Sequence, residues 1–176
     1  RFVEGLVKHF GVFESGSFEN GETVSCFVDE ERRELNSKLH SAGHLVDMAV
    51  QSLDLSWIPG KGFHFPEGAY VEYAGKVDEG DRQTLKAKIE EQCNKLIEQS
   101  IDVSVQFVEK DKLADICKNV PDNIPTGKPI RVVMFGDFGV PCGGTHVANL
   151  GDLKHETIRK IKNDGQNVRV SYDVDR

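Results

Sequence analysis

His40-Ser41-Ala42-Gly43-His44 is the stretch around which this sequence is organised. Its two histidines are four residues apart, so a helix would present both imidazoles on one face, about one turn apart. A second stretch, Cys142-Gly143-Gly144-Thr145-His146, offers a thiol and a third imidazole from a glycine-rich bend. Such a ligand set suits Zn²⁺ better than Mg²⁺ or Ca²⁺. We therefore predict one metal site, closed by folding, with ligands His40, His44, Cys142 and His146.

Each half of this site also has an ordinary interpretation. The histidines would be partly buried, hydrogen-bonded helix residues, and the pattern HExxH of metalloproteases is absent because no glutamate follows His40. Cys142 would be a small buried side chain, and His146 a loop residue. Gly143 and Gly144 favour the metal, because adjacent glycines let the backbone approach a ligand closely. Four protein ligands would make a closed, structural site, whereas three would leave a position for water or substrate, and both alternatives stay open.

Length and composition narrow the class of protein. The 176 residues are enough for one domain with a proper core, and no apolar run approaches the roughly 20 residues that cross a bilayer. The four cysteines are scattered without a CxxC pair, which predicts no disulfide framework and a reducing compartment, the cytoplasm. A net charge of −7 argues against a general nucleic-acid coat but leaves room for a local basic face.

Residues 1–29 predict strands, with Val, Phe and Thr at 10–13 and 23–28 and turn residues at 15–21. Since the chain begins at Arg1 without methionine, we expect these residues to be the β-rich remainder of an N-terminal segment. An isolated hairpin is marginal in water, so we expect it to pack on other parts of the protein. Residues 30–176 would form the functional domain.

Apolar spacing predicts the elements of that domain. Asp29 would cap a first helix, whose apolar stripe includes Leu39 and Val46. Asp81 would cap a second helix, which ends near Ser100. Extended segments are expected at 63–74, 101–108 and 130–135, a short helix at 111–120, and a hairpin at 157–174 with its turn at 163–165. Strands and helices do not alternate regularly, which favours an α+β fold with a mainly antiparallel sheet packed against two longer helices.

Three blocks of sequence carry a resemblance to a known family. RRELNSKLHSAGHL (32–45), GKGFHFPEGAYVEY (60–73), and PCGGTHVANLGDL with IRKIKNDGQNVRVSYDV (141–174) occur in the order found in the editing domains of alanyl-tRNA synthetases. They are still more similar to the free-standing AlaX-type trans-editing proteins. Threonyl-tRNA synthetase editing domains share the fold and the histidine motif, so the resemblance implies the threonyl/alanyl editing-domain fold for residues 30–176.

The resemblance implies a function as well. It implies zinc at the four predicted ligands and hydrolysis of tRNA(Ala) wrongly charged with serine or glycine, after release from the synthetase. The scissile ester needs a positioned water and stabilisation of an oxyanion, for which the backbone N–H groups near Gly144 and the hydroxyls of Ser41 and Thr145 are candidates. Each hydroxyl has the alternative of bonding locally to the backbone. The alternative functions are a catalytically inactive tRNA-binding module with a structural zinc, and another zinc hydrolase on the same fold.

Two positions depart from the synthetase pattern. The residue before His44, often threonine in synthetase editing domains, is Gly43, and the residue before Lys61, a glutamine in some of them, is Gly60. Both changes remove side chains from the expected pocket, so the preference between serine and glycine stays open. Phe63 and Phe65 are expected in the core, with stacking on a terminal base as the alternative, and His64 between them is an extra polar group near the site.

A basic cluster is the candidate contact for the tRNA acceptor end. Its cationic side chains would neutralise phosphates and make binding salt-dependent, with a solvated strand face as the alternative. The candidates are Lys61, Arg159, Lys160, Lys162 and Arg169, with Lys154 nearby.

Overall fold

In the part of the chain that the structure describes, the strands within each sheet pair antiparallel. The computed structural model describes residues 2–3, 6–121, 124 and 127–175. One sheet has the strand order β3-β4-β9-β8, another β5-β6-β7, and a two-stranded pair β1-β2 precedes them. The strands are β1 (Phe2–Val3), β2 (Leu6–Val7), β3 (Ile58–Phe63), β4 (Tyr70–Ala74), β5 (Val103–Val108), β6 (Ile130–Phe135), β7 (Phe138–Pro141), β8 (Glu156–Asp164) and β9 (Asn167–Val174). The predicted α+β class is confirmed.

The helices are α1 (Glu30–Ser52), α2 (Arg82–Glu98) and the short α3 (Leu113–Ile116). A carboxylate oxygen of Asp29 accepts a hydrogen bond from the Arg32 N–H at 3.0 Å, so the predicted cap of α1 is confirmed. Asp81 occupies the N-cap position of α2 as predicted, but its side chain makes no capping hydrogen bond, because the residue also ends a 3₁₀ turn, Glu79–Asp81, that leads into the helix.

The predicted apolar stripe of α1 forms the centre of the core. Leu39, Ala42, Val46 and Ala49 are buried, and they pack with α2 and with the inner face of the four-stranded sheet. Because these side chains are buried along most of α1, the rotation of the helix about its axis is fixed. As a result, positions 40 and 44 have a defined direction, toward the bend that follows β7.

The predicted N-terminal strands are wrong in position. Residues 8–29 contain no strand, and every residue from 6 to 34 is exposed. Val12 and Phe27 are 91% and 93% exposed, so neither of these β-forming side chains is covered by a packing surface. The small hairpin lies earlier, at β1 and β2. Among the described residues, no helix is long and apolar enough to cross a membrane.

Candidate metal centre

Helix α1 and the bend after β7 bring the four predicted ligands together. One ligand atom from each of His40, His44, Cys142 and His146 lies within 4.8 Å of the ligand atoms of the other three. The thiol sulfur of Cys142 is 3.5 Å from Nε2 of His40. With zinc bonds of about 2.0–2.1 Å to nitrogen and about 2.3 Å to sulfur, tetrahedral ligands lie roughly 3.3–3.7 Å apart. The cluster is therefore close to the size of a zinc site.

His44 is oriented by a partly buried carboxylate. Its Nδ1 lies 3.3 Å from Oδ2 of Asp47, and Oδ1 of the same carboxylate accepts a hydrogen bond from the Tyr73 hydroxyl at 2.6 Å. Histidine ligands of metals commonly donate their second ring N–H to a carboxylate in this way, which leaves the other nitrogen for the metal. Asp47 lies one helical turn after His44 on α1, but the sequence contained no signal that Tyr73 would join it.

His146 is oriented by the first histidine stretch. Ser41 is completely buried, and its hydroxyl oxygen lies 3.3 Å from Nδ1 of His146. The same oxygen accepts a hydrogen bond from the Val147 N–H at 3.1 Å. Ser41 was a candidate catalytic residue. In the structure it ties α1 to the bend and contacts the His146 ring, and its catalytic role stays a prediction.

Gly144 makes room for His40. An ideal Cβ at position 144 would lie 2.1 Å from Cε1 of His40 and 2.4 Å from its Nδ1, so any side chain there would displace the imidazole. The expected need for two adjacent glycines is only half right. A Cβ at Gly143 would have no neighbour within 4 Å, so that position has no steric requirement for glycine.

The donor set fits a metal ion. Among the described residues, Nε2 of His44 and Nε2 of His146 are buried without a hydrogen-bond partner, which is costly unless a further ligand satisfies them. Burial alone would raise the pKa of the Cys142 thiol, but the imidazoles of His146, His40 and His44 and the Gly144 N–H bring it down to about 3. The cluster therefore favours a thiolate surrounded by imidazole nitrogens, which is the ligand form that zinc requires.

The Cys142 thiolate in turn raises the pKa values of neighbouring imidazoles. Burial lowers the pKa of His44, but Asp47 and Cys142 more than compensate, and the pKa rises to about 9. Burial also lowers the pKa of His146, against the opposing effect of Cys142. A metal cation bound at the centre would replace the positive charge of protonated His44 next to the negative charges of the Asp47 carboxylate and the Cys142 thiolate.

The other candidate catalytic groups lie on the bend. The Gly144 N–H donates to the Cys142 sulfur at 3.5 Å and thereby supports the thiolate. Thr145 is exposed, and its hydroxyl lies 3.0 Å from the Ser37 hydroxyl, so it is anchored on α1 while remaining accessible. A cleft of about 640 Å³ adjoins the cluster, with His44, Asp47, Gly60 and Phe138 in its wall. Its size is in the range of small-molecule sites.

Two sequence expectations about β3 are corrected. Phe63 and Phe65 do not enter the core, because they are 37% and 47% exposed and their rings contact each other at 5.1 Å between centroids. His64, between them, turns inward instead, and its ring stacks on that of His40 at 4.7 Å. Burial, followed by the nearby His40 and His44, lowers the pKa of His64 to about 3, so it is a neutral imidazole beside the metal cluster.

The basic candidates differ in how far the protein already uses them. Arg159 donates to the carbonyls of Tyr172 and Ala69, both at 2.9 Å, and Arg169 pairs with the buried Glu72 at 2.6 Å. These two guanidinium groups hold neighbouring strands together. The lysine candidates keep more exposed ammonium groups: Lys61 lies 3.5 Å from Glu72 and Lys162 4.0 Å from Asp164, and Lys160 is exposed.

Comparison with known proteins agrees with this geometry. Residues 130–169 match the family described as the Threonyl and Alanyl tRNA synthetase second additional domain, a segment that contains Cys142 and His146. Alanine--tRNA ligase 1 of Lachnoclostridium phytofermentans is 32% identical over 172 residues, which cover 89% of this chain and 18% of that protein. The Alanine--tRNA ligase of Anaeromyxobacter sp. is 28% identical over 187 residues, covering 98% of this chain and 19% of that protein.

An archaeal relative extends the comparison. The Alanine--tRNA ligase of Nitrosopumilus maritimus is 28% identical over 153 residues, which cover 85% of this chain and 17% of that protein. The chain thus spans less than a fifth of the length of the curated relatives it matches. The antiparallel α+β fold and these similarities together show that the chain belongs to the AlaX-like family of alanyl-tRNA synthetase editing domains.

Proposed function

We propose that this chain hydrolyses the ester bond of tRNA(Ala) mischarged with serine or glycine, in the cytoplasm and in trans, as a proofreading step of translation. The observation that carries the proposal is the convergence of His40, His44, Cys142 and His146 within 4.8 Å in a chain of the editing-domain family. A synthetase pocket that accepts alanine cannot strongly reject a residue that only adds a hydroxyl, so a second sieve is useful.

The site offers the parts that this reaction needs. A zinc ion held by three of the four ligands would supply a Lewis acid and an open position for water, whose pKa it would lower to about 7. Asp47 and Ser41 keep the imidazoles of His44 and His146 in place, and Thr145 is an exposed residue of the bend whose hydroxyl accepts a hydrogen bond from the Ser37 hydroxyl. With the Gly144 N–H turned to the thiolate, the backbone N–H groups of Gly143 and Thr145 are the candidate donors to an ester oxygen.

Contacts with the acceptor end would come from β3 and β8. Phe63 and Phe65 offer exposed aromatic faces on the same strand segment as His64, suited to stacking on the terminal adenine. Lys61 and Lys160 would meet phosphates, with Lys162 in support. Arg159 and Arg169 would act mainly by holding the sheet, because their guanidinium groups are already engaged.

The test is hydrolysis of Ser-tRNA(Ala), Gly-tRNA(Ala) and Ala-tRNA(Ala) by the zinc-loaded chain, with a Cys142→Ser variant in parallel. We expect faster release of serine or glycine than of alanine, and loss of that activity in the variant. If no mischarged form is hydrolysed faster than Ala-tRNA(Ala), the proposal fails.

One observation favours a second candidate. All four ligand groups lie close enough to bind at once, and a four-ligand site is typical of structural zinc. A tRNA-binding module with a structural zinc would retain tRNA(Ala) without deacylating it, so a binding measurement beside the hydrolysis assay separates the two functions.

A further inference from the structure

The ring of His64 occupies a slot between α1 and β3 that two glycines keep open. An ideal Cβ at Gly43 would lie 2.4 Å from Cε1 of His64, and one at Gly62 would lie 2.3 Å from its Nε2. A side chain at either position would push the imidazole out. Gly43 on α1 and Gly62 on β3 thus both make room for the His64 ring beside His40.

A chain of hydrogen bonds fixes which nitrogen of His64 carries its proton. The hydroxyl of Tyr172, a completely buried side chain, donates to the Leu39 carbonyl at 2.9 Å. That hydroxyl lies 2.6 Å from Nδ1 of His64, and since its own proton is used it must accept the Nδ1–H. With this proton on Nδ1, the acceptor position of the ring is Nε2.

The second ring nitrogen of His64 is left without a partner among the described residues. Nε2 of His64 forms no hydrogen bond with the described residues, and it is not among their buried unpartnered atoms. The His40 ring stacks on the same imidazole at 4.7 Å, so Nε2 lies in the immediate surroundings of the metal cluster. An accessible acceptor next to the metal cluster is suited to a hydroxyl donor of the substrate.

We propose that His64 determines the specificity of the site, with its Nε2 accepting a hydrogen bond from the side-chain hydroxyl of a seryl group esterified to tRNA. This inference rests on the proposed deacylase function. A seryl ester satisfies the acceptor, whereas an alanyl ester leaves it unpaired in a desolvated site, which disfavours the correctly charged tRNA.

The proposal accounts for the departure at Gly43. A hydroxyl-bearing side chain at position 43 and the His64 ring would compete for the same space, because the Cβ itself would overlap the imidazole. In this chain the polar group of the pocket comes from the residue that follows β3 instead of from α1. Loss of the side chain at position 43 is therefore compensated by His64 and does not leave the pocket without a polar partner.

The first experiment compares the wild-type chain with His64→Ala and, as a matched control, with the exposed His155→Ala. We expect His64→Ala to reduce kcat/KM for Ser-tRNA(Ala) by at least about tenfold while hydrolysis of Gly-tRNA(Ala) changes little, because glycine has no hydroxyl to recognise. The zinc content and thermal midpoint of each protein show whether a variant has lost its metal or its fold. His64→Gln, which can place an acceptor near the same point, should recover part of the serine activity.

The outcomes separate this inference from the proposed function. If the wild-type chain hydrolyses neither Ser-tRNA(Ala) nor Gly-tRNA(Ala), the deacylase function itself fails. If the wild-type chain is active but His64→Ala loses the serine and glycine activities equally, or leaves the preference for serine over alanine unchanged, His64 does not determine specificity.

A double substitution gives a second, independent test. Gly43→Thr alone should reduce serine activity, because the new Cβ displaces the His64 ring. When Gly43→Thr is combined with His64→Ala, the imidazole no longer competes for the space and only the Tyr172 hydroxyl, 2.8 Å from an ideal Cβ at position 43, has to shift. The threonine hydroxyl then becomes the polar partner, so the double variant should be more active on Ser-tRNA(Ala) than either single variant. Losses that simply add would contradict the proposal.

Discussion

The sulfur of Cys142 lies 3.5 Å from Nε2 of His40, although 102 residues separate them in the chain. The contact depends on the buried stripe of α1, which aims His40, and on Gly144, which lets the bend pass close beneath its ring. Metal ligation in this chain is therefore a product of tertiary folding and not of a local motif. Binding of a metal to the folded state alone should stabilise that fold by RT ln(1 + c/Kd), where c is the metal concentration, and therefore logarithmically with that concentration.

Gly144 and Gly143 provide a matched pair of substitutions. Gly144→Ala should lower zinc affinity by an order of magnitude or more, because its Cβ would overlap the His40 ring, whereas Gly143→Ala should have little effect. Competition with a chelator measures both affinities. Equal affinities for the two variants would contradict the described path of the bend.

Asp47 should matter for the metal although it is not among the ligands. Asp47→Asn removes the carboxylate that orients Nδ1 of His44, and the expected cost is about 10–100-fold in zinc affinity. The exposed Asp54 at the end of α1 supplies the control Asp54→Asn. If both variants bound zinc as the wild type does, the inferred orientation of His44 would be wrong.

Glu156 should give the protein a distinct pH dependence. It is completely buried, neither carboxyl oxygen has a partner among the described residues, and burial raises its pKa well above the ordinary 4.5. The folded state thus holds a proton that the unfolded chain loses above that value. Stability contributed by this group is full below about pH 4.5 and falls as the pH rises toward the folded pKa, by about 1.4 kcal/mol per unit.

Glu156→Gln should remove this decline. Denaturant unfolding of both proteins across the pH range measures it, and the difference in the free energy of unfolding should move in favour of the variant as the pH rises. A difference that does not change with pH would show that Glu156 has no raised pKa.

The exposed aromatic pair of β3 should contact the terminal adenine. Phe65→Ala should weaken tRNA(Ala) binding by about 1–3 kcal/mol, the usual range for one stacked base. A tRNA with 2-aminopurine at its terminal position reports the stacking by quenching of its fluorescence. Phe107→Ala, on a residue that is 70% exposed in the three-stranded sheet, is the control, and equal quenching by both variants would exclude the contact.

Arg169 and Lys160 should behave in opposite ways. Arg169→Ala leaves the buried Glu72 carboxylate without its guanidinium partner, so we expect loss of stability with a modest effect on tRNA. Lys160→Ala should leave the thermal midpoint unchanged and reduce the salt dependence of tRNA binding by about one unit of slope. Salt titrations and thermal unfolding distinguish the two roles, and the reverse pattern would contradict them.

Much of the fold was predictable because its signals are local. The cap at Asp29, the apolar stripe of α1, the strand β6 and the turn at Gly165, whose φ is +65°, follow from side-chain chemistry that neighbouring residues decide. The four ligands were predictable too, since their residue types and spacing indicate a metal before any geometry is known.

Features that depend on tertiary contacts were not predictable. The strand-forming residues at 10–13 and 23–28 are irregular and exposed, and local β propensity could not predict this because strand formation depends on tertiary pairing. On β3, alternation could not say that His64 turns inward while Phe63 and Phe65 face solvent, since that choice depends on Gly43 of another element. The Asp47–Tyr73 hydrogen bond, which joins α1 to β4, is a further contact without a local signal.

X-ray absorption spectroscopy of the zinc-loaded chain, together with its metal stoichiometry, tests the central claim most directly. The expected result is one zinc ion per chain, bound by one sulfur and by imidazole nitrogens of His40, His44 and His146, with the sulfur lost in Cys142→Ser. A chain that binds no zinc stoichiometrically, or that binds it through nitrogen and oxygen alone, would contradict the site around which this account is built.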